Sequence, residues 1–194
     1  MAVKAKNRKY TAEEYLALEE KAEFRSEYDD GKIAAMAGSS LNHARITVNI
    51  DRFFGRKLSN TCESLTTDIK VRVENYRKFY YPDVLVICGK AEFYQKRNDT
   101  ITNPILIVEV LSDSTEAKDR GEKMLAYRSL ESLQEYVLIS QTKPIVEQYT
   151  KNSDGNWIHK ATIGLKSIVK LEAVEVELSL EEIYQRIEFE EENL

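Results

Sequence analysis

One carboxylate stands inside an otherwise apolar run of the sequence. Glu109 interrupts residues 104–111, PILIVEVL, which are predicted to form a buried strand. An ionised carboxylate there costs several kcal/mol unless a cation pairs with it or a metal binds it. Strand alternation places Ile107, Glu109 and Leu111 on one face, so that Glu109 can point into a cleft. The position predicts a metal ligand, or else a buried ion pair for which Lys123 is a candidate partner.

A second acid has a matching position. Asp83 follows Pro82 at the head of the apolar run 84–88. If this strand is adjacent to 104–111, the two carboxylates face one another across the sheet. Mg²⁺ is typically held by one or two carboxylates together with waters and phosphate oxygens. The pair therefore predicts a hard-cation site, whereas Asp83 alone would be read as a strand-terminating residue.

Local patterns predict the elements that must position these acids. Helices are predicted at 11–21, 39–58, 112–130 and after Ser179, and strands at 24–28, 32–36, 65–73, 84–88, 104–111, 135–140, 145–149 and 157–163. Because 65–73 alternates as one strand, Lys70 and Arg72 are expected to face solvent or a partner. The helix 112–130 is long enough for a right-handed parallel crossover. The order predicts one α/β domain over 1–194, a sandwich with a central mixed β-sheet flanked by helices, with a basic tail at 1–10 and an acidic tail at 188–194.

Composition limits the class of protein. The 194 residues are 42% hydrophobic and 31% charged, which is too apolar for disorder and too charged for a membrane protein. Without an apolar leader, a cytoplasmic location is expected. The net charge of −5 argues against binding nucleic acid by phosphate neutralisation alone, although a bound cation can reverse the local field. Cys62 and Cys88 form no CxxC motif and are expected to be reduced.

Six segments in order resemble one family. They are RSEYDDG at 25–31, DIKVR at 68–72, YPD at 81–83, PILIVEVLS at 104–112, DRGEK at 119–123 followed by Tyr127, and EYVLI at 135–139. Asp83 and Glu109 resemble the acids of the PD-(D/E)XK nuclease pattern. Together the segments resemble the Uma2 family, also called DUF820, over about residues 10–190. The resemblance implies a restriction-endonuclease-like fold and a Mg²⁺-dependent phosphodiesterase, often found as a dimer.

The resemblance also implies roles for particular residues. Asp83 and Glu109 would bind the metal together with the Val110 carbonyl oxygen. The motif requires a lysine two residues after the second acid, but this chain has Leu111. Lys123, on the following helix, is the expected substitute and would orient the attacking water and stabilise charge on the phosphorane.

Two more residues take roles from the same resemblance. Glu27 is similar to an additional N-terminal acid that many nucleases of this fold use as a metal ligand or a water-positioning base. His43, near the start of the second helix, is expected to contact phosphate or to accept a proton. The alternative for Lys123, Glu27 and His43 is an ordinary surface position. Asp119 and Tyr127, four residues either side of Lys123, are expected to share its helix face and to brace it.

Two functions follow for the whole chain. The first is a Mg²⁺-dependent endonuclease that hydrolyses phosphodiester bonds in DNA, with Mn²⁺ as a substitute ion, acting as a homodimer. The second is a catalytically inactive nuclease fold, kept as a dimeric binding or regulatory module for nucleic acid or protein. The missing motif lysine and the acidic composition favour the second.

Overall fold

The chain folds as a mixed α/β structure. The computed structural model describes residues 8–66 and 68–189. Its helices are α1 (Ala12–Glu19), α2 (Leu41–Lys57), α3 (Glu116–Lys118), α4 (Met124–Tyr127) and α5 (Leu180–Ile183), with a 3₁₀ turn at Glu74–Tyr76 and a π-helical turn at Asp119–Lys123. Its strands are β1 (Ser26–Asp29), β2 (Lys32–Ala35), β3 (Cys62–Thr66), β4 (Lys70–Val73), β5 (Lys78–Tyr80), β6 (Val84–Cys88), β7 (Thr100–Ile101), β8 (Leu106–Leu111), β9 (Glu135–Ser140), β10 (Ile145–Lys151), β11 (Trp157–Ile163), β12 (Ile168–Leu171) and β13 (Val176–Ser179).

The larger sheet carries both predicted acids. Its strand order is β11-β10-β9-β8-β6-β3, and β8 is parallel to β9 but antiparallel to β6. Val84 pairs with Val108, so that Asp83, just before β6, lies next to the end of β8 that carries Glu109. The predicted crossover and the adjacency of the two acid-bearing strands are therefore confirmed.

A smaller sheet supplies the remaining wall of the site. Its order is β2-β1-β5-β4-β7, and β1 and β2 form the hairpin predicted around Gly31. Asp30 and Gly31 both have positive φ, 38° and 99°, which a tight two-residue turn requires. This hairpin presents Glu27, in the middle of β1, toward the larger sheet.

The two long helices begin where side-chain caps are available. Thr11 and Glu14 form a reciprocal capping box at the start of α1. Ser40, rather than Ser39, caps α2 by accepting a hydrogen bond from the His43 amide. The apolar face of α2, including Ile46, Ile50, Phe53 and Phe54, is buried against one face of the larger sheet.

The segment between β8 and β9 covers the opposite face of the larger sheet. Its buried side chains Ala126 and Tyr127 pack with Ile107, Leu111 and Leu138. A continuous helix was predicted over 112–130, but the observed one spans only 116–127 and widens into the π-helical turn at its centre. Such widened turns are frequent at functional sites.

The prediction of one strand over 65–73 is wrong. Residues 62–66 belong to the larger sheet and 70–73 to the smaller one, and the chain crosses between them past Asp68, which has a φ of 55°. Lys70 and Arg72 are consequently buried, 3% and 5% exposed, instead of facing solvent. Apolar and polar residues do alternate on each side of Asp68, but this alternation carries no information about which sheet a residue joins.

The two cysteines lie opposite each other on neighbouring strands. Cys62 of β3 pairs in register with Cys88 of β6, and the two sulfurs form a disulfide, contrary to the expectation of reduced thiols. Within the described ranges, every helix is too short or too polar to cross a membrane. The predicted basic and acidic tails fall largely on 1–7 and 190–194, outside the described residues.

Candidate active site

The buried acid of β8 is held by the helical segment that follows it. Lys123 places its Nζ 3.0 Å from Glu109 Oε1, and the Tyr127 hydroxyl donates a hydrogen bond of 3.1 Å to the same oxygen. Glu109 is 3% exposed and Lys123 is 5% exposed. Lys123 was predicted to bring its ammonium from the helix to Glu109, and it does so. The contact is the buried ion pair that was the alternative interpretation of Glu109.

The same ammonium is shared with two further carboxylates. Lys123 Nζ lies 3.2 Å from Glu27 Oε1 and 3.1 Å from Asp119 Oδ1. Both oxygens are buried, and neither has a hydrogen-bond partner among the described residues. The short distances satisfy an ion pair, but the angles do not satisfy a hydrogen bond, so these contacts are Coulombic. Lys118 lies nearer the surface and places its Nζ 2.5 Å from the other oxygen of Glu27.

Asp83 is fixed from two directions. Its Oδ2 accepts a hydrogen bond of 2.7 Å from the Val110 amide and lies 3.2 Å from His43 Nε2. His43 is held in place by α2, since its own amide is bound by the capping hydroxyl of Ser40. The first turn of α2 therefore meets the acid that precedes β6.

The pKa shifts report an excess of negative charge. Burial raises the pKa of Glu109 well above its usual range. Lys123 lowers this pKa, whereas the carboxylates of Asp119, Asp83 and Glu27 raise it further. Burial lowers the pKa of Lys123, but Glu109, Glu27 and Asp119 outweigh it and raise that pKa well above its usual value. The two shifts share one contribution beside burial, the carboxylates around Lys123, because one buried ammonium contacts three of them.

His43 responds to its own carboxylate. Burial lowers its pKa, but the hydrogen bond and charge of Asp83 outweigh burial, and the net pKa is raised from 6.5. The imidazole therefore takes up a proton more readily than a free histidine does, and the cation formed stays 15% exposed at the edge of the cluster. A partly exposed imidazolium can donate a hydrogen bond to an anionic ligand.

The carboxylates of this cluster are the type of ligand that a hard divalent cation prefers. The side-chain oxygens of this donor set all belong to carboxylates, and two of them, Glu27 Oε1 and Asp119 Oδ1, are buried without a hydrogen bond among the described residues. Neighbouring carboxylates also help to raise the pKa of Glu109. Within 8–66 and 68–189, however, no three Asp, Glu, His or Cys side chains already converge on one point as metal ligands. Lys123 lies where they would converge. A cation therefore fits the charge and the donor type, and its binding requires the ammonium to give up at least one carboxylate.

Each residue predicted for the site lies in or beside this cluster. Asp83, Glu109, Lys123 and Glu27 are brought together, and His43 contacts Asp83. Val110 takes part through its amide, which binds Asp83. Leu111, which occupies the position of the motif lysine, is buried in the core between the sheet and α4.

The structure adds one residue that the sequence did not assign to the cluster. Lys118 reaches Glu27 only because β1 and the helical segment meet in space, 91 positions apart in the chain. Asp119 and Tyr127 do share a face with Lys123, as their spacing predicts, but both contact charged members of the cluster directly. The i, i+4 spacing was the available signal for these two residues.

The mixed sheet, the helical crossover and the acids at adjacent strand ends define a restriction-endonuclease-like fold. The chain belongs to the Uma2 family, whose model matches residues 12–182 and is described as "Putative restriction endonuclease". This finding confirms the resemblance of the six sequence segments.

Relatives and a solved structure agree with this assignment. The chain is 42% identical to the uncharacterized protein slr1290 of Synechocystis sp. over 151 residues, which are 77% of this chain and 78% of that protein. It is 37% identical to the uncharacterized protein sll1609 of the same organism over 165 residues, 84% of this chain and 93% of that protein. A crystal structure described as a putative nuclease of DUF820, from Anabaena variabilis, superposes with a TM-score of 0.73 at 18% identity and covers 90% of this chain and 97% of its own. At that identity the superposition shows the fold alone.

Proposed function

We propose that this protein is a Mg²⁺-dependent endonuclease that hydrolyses phosphodiester bonds in DNA, with Mn²⁺ as a substitute ion. The observation that carries the proposal is the cluster of Glu27, Asp83, Glu109 and Lys123 at one edge of the mixed sheet. Nucleases with this fold generally use divalent metals, and family membership supports a nuclease. The excess of buried carboxylates over ammonium groups supports a cation at this position.

Asp83 and Glu109 would hold the ion, with the Val110 carbonyl as the third donor and Glu27 or Asp119 as additional acids. A bound Mg²⁺ neutralises charge on a phosphate and lowers the pKa of a coordinated water. The side chains around the acids keep their oxygens in place, since Tyr127 anchors Glu109 and the Val110 amide anchors Asp83. Such anchoring preserves ligand orientation.

The cationic groups have separate tasks. Lys123 would orient the attacking water and stabilise negative charge on the phosphorane, because its ammonium already lies against Glu109 and Glu27. Glu27, freed from that ammonium, would position the water. His43, partly exposed beside Asp83, would donate a hydrogen bond to a substrate phosphate.

The test compares isosteric variants that remove one charge each. Supercoiled DNA is incubated with the wild type, Asp83→Asn or Glu109→Gln in Mg²⁺, Mn²⁺ or EDTA. We expect metal-dependent nicking by the wild type and a loss of about 100-fold or more in each variant. Glu135→Gln is the matched control, because Glu135 is fully buried in the adjacent strand but is bound by Gln148 and by the Ala173 amide. Absence of metal-dependent nicking, or nicking that survives both substitutions, contradicts the proposal.

Two observations favour the second candidate, an inactive nuclease fold acting as a binding module. Lys123 already neutralises Glu109 in a buried pair, and the described acids do not converge as ready metal ligands. Under this alternative the ion pair is purely structural. Calorimetric titration with Mg²⁺ separates the two candidates, because only the nuclease requires binding that Asp83→Asn abolishes.

We further propose that the chain is one domain that acts as a homodimer in the cytoplasm. Light scattering after size-exclusion chromatography tests the dimer. The Cys62–Cys88 disulfide provides a check on the location, because a reducing cytoplasm disfavours such bonds. Mass spectrometry of alkylated protein from freshly lysed cells tests the location, and finding the disulfide intact would contradict a cytoplasmic protein.

A further inference from the structure

A cavity lies on the other face of the smaller sheet from the candidate active site. Glu27 and Lys78 point toward the helical segment 116–127 that follows β8. There Glu27 contacts Lys118, and Lys78 contacts Glu122. Their neighbours Tyr28 and Phe79 point the opposite way and pack with Tyr15. The cavity on that side measures about 590 Å³, within the range of about 300–1,000 Å³ usual for small-molecule sites. Its wall includes Tyr10, Tyr28, Arg72, Glu74, Arg77 and Tyr94.

A buried guanidinium in this wall has unused hydrogen-bonding capacity. Arg72 is 5% exposed, with its Cζ 4.5 Å from the Phe79 ring centre and 5.1 Å from that of Tyr94. Its Nε donates to Glu74 at 2.7 Å. Its Nη1 is buried and has no acceptor among the described residues. Buried donors in native proteins are nearly always paired, so this nitrogen indicates an acceptor that the described residues do not supply.

A helix end opens into the same cavity. Thr11, Ala12 and Glu13 line it, and they are the cap and first two residues of the eight-residue helix α1. The Thr11 hydroxyl accepts from the amide of Glu14, while the amides of the first two helical residues have no intrahelical acceptor. A helix N-terminus favours an anion through these amides and its dipole. Two independent donor groups thus border one cavity.

The charged residues of the cavity wall determine which charge and which hydrogen-bonding groups a ligand needs. The cations Lys9, Arg72 and Arg77 are balanced by Glu13, Asp30 and Glu74. Two of these pairs are already formed, since Arg77 lies 3.1 Å from Asp30 and Arg72 binds Glu74. The cavity therefore offers little net charge, but it offers directional donors. Recognition then depends on several acceptor oxygens at one end of the ligand.

We propose that this cavity binds a phosphate monoester carrying a planar ring, of the chemical class of a nucleoside monophosphate. The phosphoryl oxygens accept hydrogen bonds from Arg72 and from the first turn of α1, because a guanidinium matches phosphate geometry. The ring packs against the tyrosines of the wall, Tyr10 and Tyr94. The site is separate from the catalytic cluster, and the proposal holds whether or not the cluster cleaves DNA.

The test is isothermal titration of the full chain with adenosine monophosphate, adenosine and inorganic phosphate. We expect the monophosphate to bind most tightly, inorganic phosphate more weakly and adenosine without measurable heat. Arg72→Met removes a charge-assisted hydrogen bond and should weaken monophosphate binding about ten-fold or more. Arg77→Met, on an exposed side chain of the same wall, should weaken it about three-fold if its charge contributes about 0.6 kcal/mol.

Two controls locate the binding. Lys70→Met removes another buried cation from β4 without touching the cavity wall, and Glu109→Gln alters only the catalytic cluster. Both should bind like the wild type. The proposal is overturned if no titrant binds, if adenosine binds as tightly as its monophosphate, if a folded Arg72→Met binds as tightly as the wild type, or if Glu109→Gln abolishes binding. If Arg72→Met fails to fold by circular dichroism, Arg72→Lys and Arg77→Met decide the matter, and unchanged binding in both overturns it.

Discussion

Replacing Lys123 with methionine removes the one ammonium that contacts three buried carboxylates of the described cluster. Glu109, Glu27 and Asp119 are 3%, 7% and 1% exposed, so water cannot replace the lost charge. Removing one partner from a buried ion pair costs about 3–5 kcal/mol. For a chain of this length that cost lowers the melting temperature by about 6–20 °C.

The assay is urea unfolding at pH 8 of the wild type, Lys123→Met, Glu109→Gln and the double variant. Because the pKa of Lys123 is raised above 10.5, the contribution of its charge is complete at pH 8 and is lost only as the pH rises through the raised value. The double variant should recover about 0.5–3 kcal/mol relative to the sum of the single effects, since the neutral amide that replaces the Glu109 carboxylate no longer requires a cation. Added Mg²⁺ should stabilise Lys123→Met, in which the carboxylates are free to bind it.

Lys70→Met serves as the matched control for this prediction. Lys70 is also buried at 3% exposure, but its partner Asp99 is 31% exposed and stays hydrated when the ammonium is removed. The control should therefore cost clearly less than Lys123→Met. Equal costs in the two variants, or strict additivity in the double variant, would refute the shared-ammonium account of the cluster.

Two further predictions concern the residues that hold the acids. Since Asp83 raises the pKa of His43 above 6.5, the stability that the charged imidazole contributes is present below pH 6.5 and lost as the pH rises through the raised value. His43→Gln should therefore destabilise the protein more at pH 6 than at pH 9 in urea unfolding; equal effects at both pH values would contradict this. Tyr127→Phe removes a hydrogen bond to a carboxylate and should cost about 1.5–3 kcal/mol, against about 0.5–1.5 kcal/mol for Tyr136→Phe, whose hydroxyl binds the neutral Asp119 carbonyl. The reverse order in thermal unfolding would show that the Glu109 hydrogen bond contributes little.

Elements with local signals were predictable from the sequence. The capping box at Thr11 and Glu14, the cap at Ser40 and the Asp30–Gly31 turn each involve residues within a few positions of one another. Their hydrogen bonds and dihedral preferences act before any tertiary contact forms. These elements appear close to where they were predicted.

Elements that depend on distant partners were not predictable in the same way. The short strands β5, β7, β12 and β13 were missed, because pairing partners rather than periodicity define them. The break at Asp68 was missed because the residues on both sides alternate in the same phase. Lys70 and Arg72 were predicted to face solvent, but both are buried. The charge of Lys70 is compensated by Asp99, and that of Arg72 by Glu74 and two aromatic rings.

The sequence by itself determined that this chain is a mixed α/β protein of the Uma2 family and that Glu109 needs a compensating partner, because a carboxylate buried in an apolar strand must be paired with a cation or with hydrogen-bond donors in any fold. Only the tertiary structure decided how the requirement is met. The helical turn after β8 folds back, and Lys123 is shared among Glu109, Glu27 and Asp119 instead of serving one of them. Ion pairs act through distance in space, and residues 27 and 123 are brought together only when the smaller sheet meets the larger one.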